Sequence, residues 1–600
     1  LKHYLYRSIT HYRSLVPVIC GLWLTLMGLS LSLYAQASAG SDSTSSERKT
    51  LEEGFLPDSP ATGLPGSSQL PALEIAPNLS AATEITVKQF KFEGNTIFTT
   101  EQLNQEIPSH YLQGSITAEQ LQEVKNLVTQ FYIKEGYINS GAVIPDQPVT
   151  DDGIITLKII EGTLVKVEVS NNKKLRPSYI AGRVATKSGE ALNLNILQDR
   201  LQLLQQNPLI KYLNAELGPG VQLGEAILKI AIEEQSPYTV QFTLNNHRSP
   251  SVGATRGEIE FWDRNLTGIF GRPWGIGDTL YLRYGLTKGL KDYSVRYDLP
   301  LNSHDTTLYF NAEKSDSEVV EEPFKQIEVE SEASTYAVGL SHPLWKTPRD
   351  ELILGVRADQ RQSKTYLLGR PFSFSPGVQD GESKISAIRL TVDWLKRNSY
   401  QVLAARSSFN FGVDVGNPTI NEDDTPDSKF FTWLGQFQWV RRLDFDFIPK
   451  KIRDSQIIFR TDFQWARENL LPLEKFSVGG AATVRGYREN FLTRDSGLIS
   501  SLEWRIPLID WKISYISKEP EDGKLQLALF TDYGLAKNAD GNFTPEPKQI
   551  YSAGLGLRYD PGELLHAELY WGKALKDVEE QEDKDKMQDN GIHFEMYLKW

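Results

Sequence analysis

Sulfur is nearly absent from this sequence, which has one cysteine, Cys20, and three methionines in 600 residues. Cys20 falls within residues 15–33, the one long apolar run, so the remainder offers no disulfide, no thiol nucleophile and no cysteine ligand. Hydrophobicity is also scarce: a mean hydropathy of −0.36 excludes a bundle of membrane-spanning helices. The apolar run follows Lys2, Arg7 and Arg13 and precedes Ala35-Gln36-Ala37 and Ala37-Ser38-Ala39. That order predicts a secretory signal peptide over residues 1–39 rather than an anchor helix. Positive charge is in short supply, with 64 Lys and Arg against 77 Asp and Glu, and losing residues 1–39 would remove three cations and no acid. A long polyanion such as nucleic acid is therefore excluded as a partner. No GxxxxGK[ST], HExxH, GxSxG or complete GxGxxG string occurs, so nucleotide use, zinc proteolysis and serine hydrolysis have no support.

What the chain does contain changes texture along its length. Residues 40–83 are rich in Ser, Gly, Ala and Pro, with five prolines from Pro57 to Pro77, and are expected to form a linker with at most a short helix over 46–55. From Ile85 apolar and polar residues alternate through Val87, Phe90 and Phe92 to a turn at Gly94-Asn95-Thr96, predicting a strand. Thr117 and Gln120 form a capping box, and Leu121, Val124, Leu127, Val128 and Phe131 follow at helical spacing until Gly136. Extended runs at 142–144 and 154–160 complete the unit. A second copy of this order opens with Leu164, Val165, Val167 and Val169, turns at Asn171-Asn172, continues through helical segments at 177–184 and 196–206, and closes with strands over 221–232. Neither copy gathers His, Asp or Glu, so both read as binding modules of an α+β kind.

Period-two alternation dominates residues 236–600. Ile592, Phe594, Met596, Leu598 and Trp600 share one face and His593, Glu595, Tyr597 and Lys599 the other; Ile388, Leu390, Val392 and Trp394 likewise oppose Arg389, Thr391 and Asp393. A soluble sandwich shows this alternation too. With a secretory start, about sixteen segments of membrane-crossing length favour an all-β closed antiparallel barrel, apolar outside and polar within.

One stretch, residues 467–496, carries no alternation and is too long for a hairpin turn. Its centre runs from Gly479-Gly480 through Val484, Arg485, Gly486 and Tyr487. An isolated arginine on such a loop is ordinarily a solvated one. Asp532 alters that balance, because it lies on the polar face of its strand with Phe530 and Gly534, where an unpaired carboxylate is poorly placed. An Arg485–Asp532 pair inside the lumen would anchor the loop with a two-point geometry that lysine lacks.

Val484-Arg485-Gly486-Tyr487 and Phe530-Thr531-Asp532-Tyr533-Gly534, in this order behind Phe92-Glu93-Gly94-Asn95, resemble the motifs of the two-partner-secretion transporters of ShlB/FhaC/HecB type. These haemolysin and filamentous-adhesin exporters belong to the superfamily that also holds the BamA-like assembly factors. The resemblance implies α+β periplasmic POTRA domains at 84–161 and 162–235, then an outer-membrane barrel of about sixteen antiparallel strands over 236–600. It implies that Arg485 on the loop tip meets Asp532 on the wall, and that Trp600 belongs to an outer-membrane assembly signal, where phenylalanine is more usual. It implies no enzyme activity, no cofactor and no metal. The partners it implies are a large secreted protein held by the POTRA domains, outer-membrane lipid and the outer-membrane assembly machinery. Family members often begin with a helix that plugs the pore, and proline leaves room for none beyond 46–55. The alternatives are a BamA-like factor that inserts other barrels and a passive porin. The acidic runs 421–427 and 578–589 lack calcium-loop spacing and read as solvated loops.

Overall fold

The computed structural model describes residues 85–600 except 113, 149–151, 271–272, 323, 423–424, 445–452, 520–521, 540–542 and 577–586. The expected signal peptide, the linker and its 46–55 helix lie outside the described residues, and the two acidic runs lie only partly within them. The described chain forms two compact units, which divide mainly at Gln235 and Ser236.

In the amino-terminal unit, β1 (Ile85–Val87) pairs with β3 (Gly114–Ile116), while β2 (Gln89–Glu93) runs parallel to β5 (Ile154–Ile160), itself antiparallel to β4 (Gly141–Val143). Helix α1 (Thr100–Gln105) precedes β3, and α2 (Ala118–Lys134) follows it. Both helices start with a capping box, Thr99 with Gln102 and Thr117 with Gln120, which satisfies two amides that the first turn leaves open. Sequence reading found the second box and passed over the first, and α1 was missed with it. Leu121, Val124, Val128 and Tyr132 recur along one face of α2 and pack into a buried core with Phe90, Leu157 and Ile159.

The same plan repeats in β6 (Thr163–Ser170), α3 (Pro177–Val184), α4 (Leu194–Gln205), β7 (Ile210–Pro219) and β8 (Glu225–Glu234). Here β6 is parallel to β8, which is antiparallel to β7. The closing strands differ from the 221–232 expectation: β7 begins eleven residues earlier, and Val221 sits in the turn between β7 and β8, almost fully exposed. Gly220 and Gly224 flank that turn, and the apolar residues between them mask it in the sequence.

The repetition reaches single side chains. Asn95 Nδ2 donates to the Phe98 carbonyl at 2.9 Å, and Asn172 Nδ2 to the Leu175 carbonyl at 2.8 Å. Glu161 then accepts from the Thr96 and Ile97 amides at 2.7 and 2.8 Å, as Glu234 does from the Lys173 and Leu175 amides at 2.8 and 3.0 Å. Each copy thus closes when a carboxylate at the end of its last strand, Glu161 just past β5 and Glu234 as the final residue of β8, holds the turn after its first long strand. Tyr132 also donates to Glu161 at 3.0 Å, and burial together with this neighbouring charge pushes its phenol well above the usual value. The two copies are tied by Asn139 Nδ2 to the Gly224 carbonyl at 2.8 Å and the Leu194 amide to the Gly136 carbonyl at 2.8 Å.

Residues 236–600 form a closed antiparallel barrel of sixteen spanning strands, from Tyr238–Asn245 to Ile592–Lys599; a two-residue stub at Arg370–Pro371 adds to one rim. Closure comes from the first strand pairing with the last, Asn245 opposite Glu595 and Gln241 opposite Lys599. Val240 and Trp600 exchange backbone hydrogen bonds of 2.9 and 2.8 Å, and the Trp600 ring lies 5.9 Å from Phe242 on the outer face. The sixth and seventh strands, Val329–Lys346 and Asp350–Leu367, are 18 residues each and outrun the apolar stretches visible in the sequence. Their extensions, such as Ser331–Thr335 opposite Arg361–Thr365, are polar on both faces apart from Ala333, so alternation marks only the lipid-facing part of each strand.

The paired carboxylates yield a direct test. Glu161→Ala should expose the amides of Thr96 and Ile97 at a cost of about 1–3 kcal/mol, and amide exchange in the full chain should quicken there while Lys173–Leu175 stay protected. Glu234→Ala should show the reverse pattern.

Candidate functional site

The segment between the eleventh strand, Ser455–Ala466, and the twelfth, Ser496–Asp510, turns back into the barrel as a hairpin in which Phe476–Val478 pairs with Leu492–Arg494. Its tip is shaped by Gly479 and Gly480, whose φ angles of +113° and +104° lie in the left-handed region that favours glycine. The Gly479 amide donates to Thr483 Oγ1 at 2.8 Å, and the Ala481 amide to Glu489 at 2.6 Å. This tight turn brings Val484, Arg485, Gly486 and Tyr487 against the wall, and all four are buried.

Arg485 and Asp532 meet. Nε and Nη2 of the guanidinium donate to the two Asp532 oxygens at 2.8 and 2.9 Å, and the Arg485 amide donates to the same carboxylate at 3.0 Å. Nη1 donates to Glu503, and Nη2 also to Ser501 Oγ at 3.1 Å. Ser501 in turn donates to Asp532 at 2.6 Å. The guanidinium carbon stands 3.6 Å from the Phe530 ring centre and 4.8 Å from that of Tyr570, so aromatic faces cover the charge where no acceptor does. Arg505 Nε and the Tyr570 hydroxyl both donate to Glu503, at 2.6 and 3.0 Å. Two arginines thus face two carboxylates, and a water-poor site remains close to neutral.

Gly534 has a different place from Asp532. A Cβ there would come within 2.2 Å of Val478 and 2.8 Å of Val484, so the wall is hollowed for the hairpin to lie on. Gly486 occupies a similar gap: a Cβ would fall 2.8 Å from the Gly572 carbonyl oxygen, and one on Gly591 would fall 1.8 Å from the same atom. The Gly486 amide donates to His593 Nε2 at 3.2 Å, and the Tyr487 hydroxyl to the Tyr551 and Lys576 carbonyls at 3.1 and 3.2 Å. Beyond the tip, Arg488 is paired with Glu321 and Asp589. Gln588 accepts from the Glu489 amide at 3.0 Å and donates to the Asn246 and Arg248 carbonyls at 2.6 and 2.7 Å. Among the described residues no group of three or more His, Cys, Asp and Glu could hold a metal ion.

Sequence reasoning missed Ser501, Glu503, Tyr570, Gly572, Gln588, Gly591 and His593. The parity that singled out Asp532 would have found two of them, since Ser501 lies opposite Asp532 in the ladder and Glu503 opposite Phe530. Trp600 is remote from this chemistry, at the seam of the barrel.

Residues 224–559, more than half of the sequence, match the family described as haemolysin secretion/activation protein ShlB/FhaC/HecB. The chain belongs to that family. Residues 85–162 match the POTRA domain of ShlB type. The outer membrane transporter CdiB of Dickeya dadantii is 21% identical over 435 residues, 71% of this chain and 74% of the relative. In fold the chain is similar to CdiB from Escherichia coli, with a TM-score of 0.66 at 18% identity over 88% of this chain and 93% of that one. It is more distantly similar to BamA from Haemophilus ducreyi lacking POTRA domains 1–3, with a TM-score of 0.51 at 12% identity over 86% of this chain and all of that one. This member of the ShlB/FhaC/HecB family is therefore an outer-membrane transporter, its POTRA region on the periplasmic side.

Arg485→Ala should leave Asp532 and Glu503 buried without their cation, a loss of about 3–5 kcal/mol to the seated loop, read as protease cleavage within 479–491 in an otherwise intact barrel. Arg485→Lys should restore protection only in part, since lysine supplies no fork. Gly572→Ala should unseat the tip by steric means alone, because its Cβ would lie 2.8 Å from the Arg485 carbonyl carbon.

Proposed function

We propose that this transporter passes an unfolded secreted partner polypeptide from the periplasm through its lumen to the cell surface, with the loop tip as the element that yields to it. The observation that carries this reading is the burial of Arg485 with Asp532 and Glu503 deep among the strands of a transporter barrel. A barrel that needed only a fixed wall would gain little from a charged hairpin fitted over glycine hollows. Charged contacts can exchange for water and re-form, whereas interlocked apolar packing has no such substitute partner. On this reading Val484, Arg485, Gly486 and Tyr487 form the seated tip, and Phe530, Asp532 and Gly534 its receiving wall.

Residues 84–161 and 162–235 act as two POTRA domains, the second supported by the repeated asparagine and glutamate that hold equivalent turns. Their sheets, ordered β2-β5-β4 and β6-β8-β7, leave β2, β4, β6 and β7 as edges. An extended partner adding to such an edge is bound through its backbone with little demand on its sequence. Transport needs no nucleotide; folding of the partner outside the cell prevents its return. Residues 236–600 form the pore, and Trp600 belongs to the signal read by the outer-membrane assembly machinery.

Arg485→Ala and Asp532→Ala should each abolish release of the cognate secreted protein while the barrel stays in the outer membrane. Normal release from both variants would sink the reading. Deleting 84–235 should abolish capture but leave a conducting pore. Cells without the chain should retain their other outer-membrane barrels; general loss of those barrels would favour an assembly factor instead.

A further inference from the structure

The loop is held in a second place that none of the matched motifs includes. At its root, Glu474 is buried against the seventh strand, Asp350–Leu367, and the eighth, Glu382–Arg397. Arg389 donates to both oxygens of Asp359, at 2.6 and 3.1 Å, and to both oxygens of Glu474, at 3.1 and 2.7 Å. Arg361 closes the set, donating to Asp359 at 3.1 Å and to the Leu473 carbonyl at 3.3 Å. Arg357 also reaches Asp359 at 3.5 Å, so three arginines meet two carboxylates, and Asp359, Arg361, Arg389 and Glu474 are each at most 5% exposed. Around them Leu470, Leu471 and Leu473 interlock with Ile385, Ala387 and Phe430. Gln464 gathers the two ends of the loop by donating to the Glu474 and Asp495 carbonyls at 2.9 and 3.0 Å.

Between root and tip the hairpin is jointed on both of its strands at one level. Gly479 and Gly480 have positive φ on the ingoing side, and Asn490, at φ +57°, has it on the outgoing side, with its amide on the Gly479 carbonyl at 3.3 Å. Above this level the tip crosses the bare backbone of Gly572 and Gly591, and it is fastened by the Arg485 pairs with Asp532 and Glu503 and by Val484 and Tyr487, which share a buried apolar cluster with Ile499, Ala536 and Ile550. Below it the root is set among side chains that would have to part. The joint thus divides the loop into two separately fastened parts, a tip held at Arg485 and a root held at Glu474.

We propose that the loop is a hinged arm, in which residues 470–478 stay clamped to the wall by Asp359, Arg361, Arg389 and Glu474 while residues 479–491 swing about Gly479, Gly480 and Asn490. Arg361, Arg389, Asp359 and Glu474 are positioning residues on this view: they act on the pore through where they hold the arm. The inference rests on the reading of the tip as the yielding element, but its test does not require an exported partner.

Cys20 is the only cysteine in the sequence, so in a Cys20→Ser background an introduced pair has no competitor. Asp427 and Leu470 are paired as an isolated bridge between the wall loop and the root, close enough for Asp427→Cys with Leu470→Cys to form a disulfide. Single-channel recording of the full chain in planar bilayers in potassium chloride reads the outcome. Oxidised channels should open and close with the steps and dwell times of reduced ones, because the locked root never moves. Loss of open events on oxidation, restored by reductant, would overturn the proposal. Glu474→Gln should speed opening about tenfold or more, since stranding one member of a buried pair exceeds the 1.4 kcal/mol that tenfold represents. Oxidising the cysteine pair in that same variant should return the dwell times to normal, since the disulfide then holds the root in place of the ions. Unchanged opening in Glu474→Gln, or fast opening that persists under oxidation, would also overturn it. If Glu474→Gln fails to insert, Arg389→Lys, which keeps the charge but not the four contacts, takes its place with the same two outcomes. Normal hinge behaviour with no partner release would reject the export reading and leave the hinge standing.

Discussion

A guanidinium removed from water must be met on every side, and that requirement organises the transporter's lumen. Arg485 needs Asp532 from the thirteenth strand, Ser501 and Glu503 from the twelfth, and aromatic faces from Phe530 and Tyr570. None of these groups can be placed unless the strands are in one register, because a shift of one residue turns each of them to the lipid side. Glu503 must then be neutralised further by Arg505, and the backbone at Gly486 must come close enough to the wall that only glycine fits at 486, 572 and 591. Register, charge balance and glycine placement are consequences of one buried cation.

The barrel resolves the apparent conflict between membrane residence and low hydropathy. Each strand turns one face to lipid and the other to a polar interior, so about half of every crossing segment is hydrophilic. Leu529 and Leu569 lie on the outer side while Phe530, Asp532 and Tyr570 lie buried within. No helix among the described residues is long and apolar enough to cross a membrane, and the strands do it instead.

Much of this was legible because its causes are local. Alternation marks the strands, the Thr117–Gln120 box marks α2, and the face shared by Phe530, Asp532 and Gly534 shows which side of the strand looks inward. The parts that were not legible depend on distant segments. The Arg389–Glu474 contact joins residues 85 apart, and nothing in the alternation around Arg389 distinguishes it from an ordinary lumen-facing arginine. Glycines 572 and 591 look like turn or strand glycines until the tip is laid over them. Strand ends were underestimated in Val329–Lys346 and Asp350–Leu367 because both faces become polar there. Helix α1 is a different case, since its capping box is in the sequence and six residues gave too little periodicity to draw attention to it.

The carboxylates that finish the two amino-terminal copies also set an order of events in time. Glu161 reaches back 65 residues to Thr96 and Glu234 reaches back 61 to Lys173, whereas Asn245 finds Glu595 only 350 residues later. Loop closure over such different spans separates the steps. As the chain emerges from its amino-terminal side, the first copy can complete as soon as Glu161 is delivered, and the second as soon as Glu234 follows. The opening strand of the barrel must wait with a bare edge until its partner arrives, so the two amino-terminal copies can stand finished while the barrel is still open.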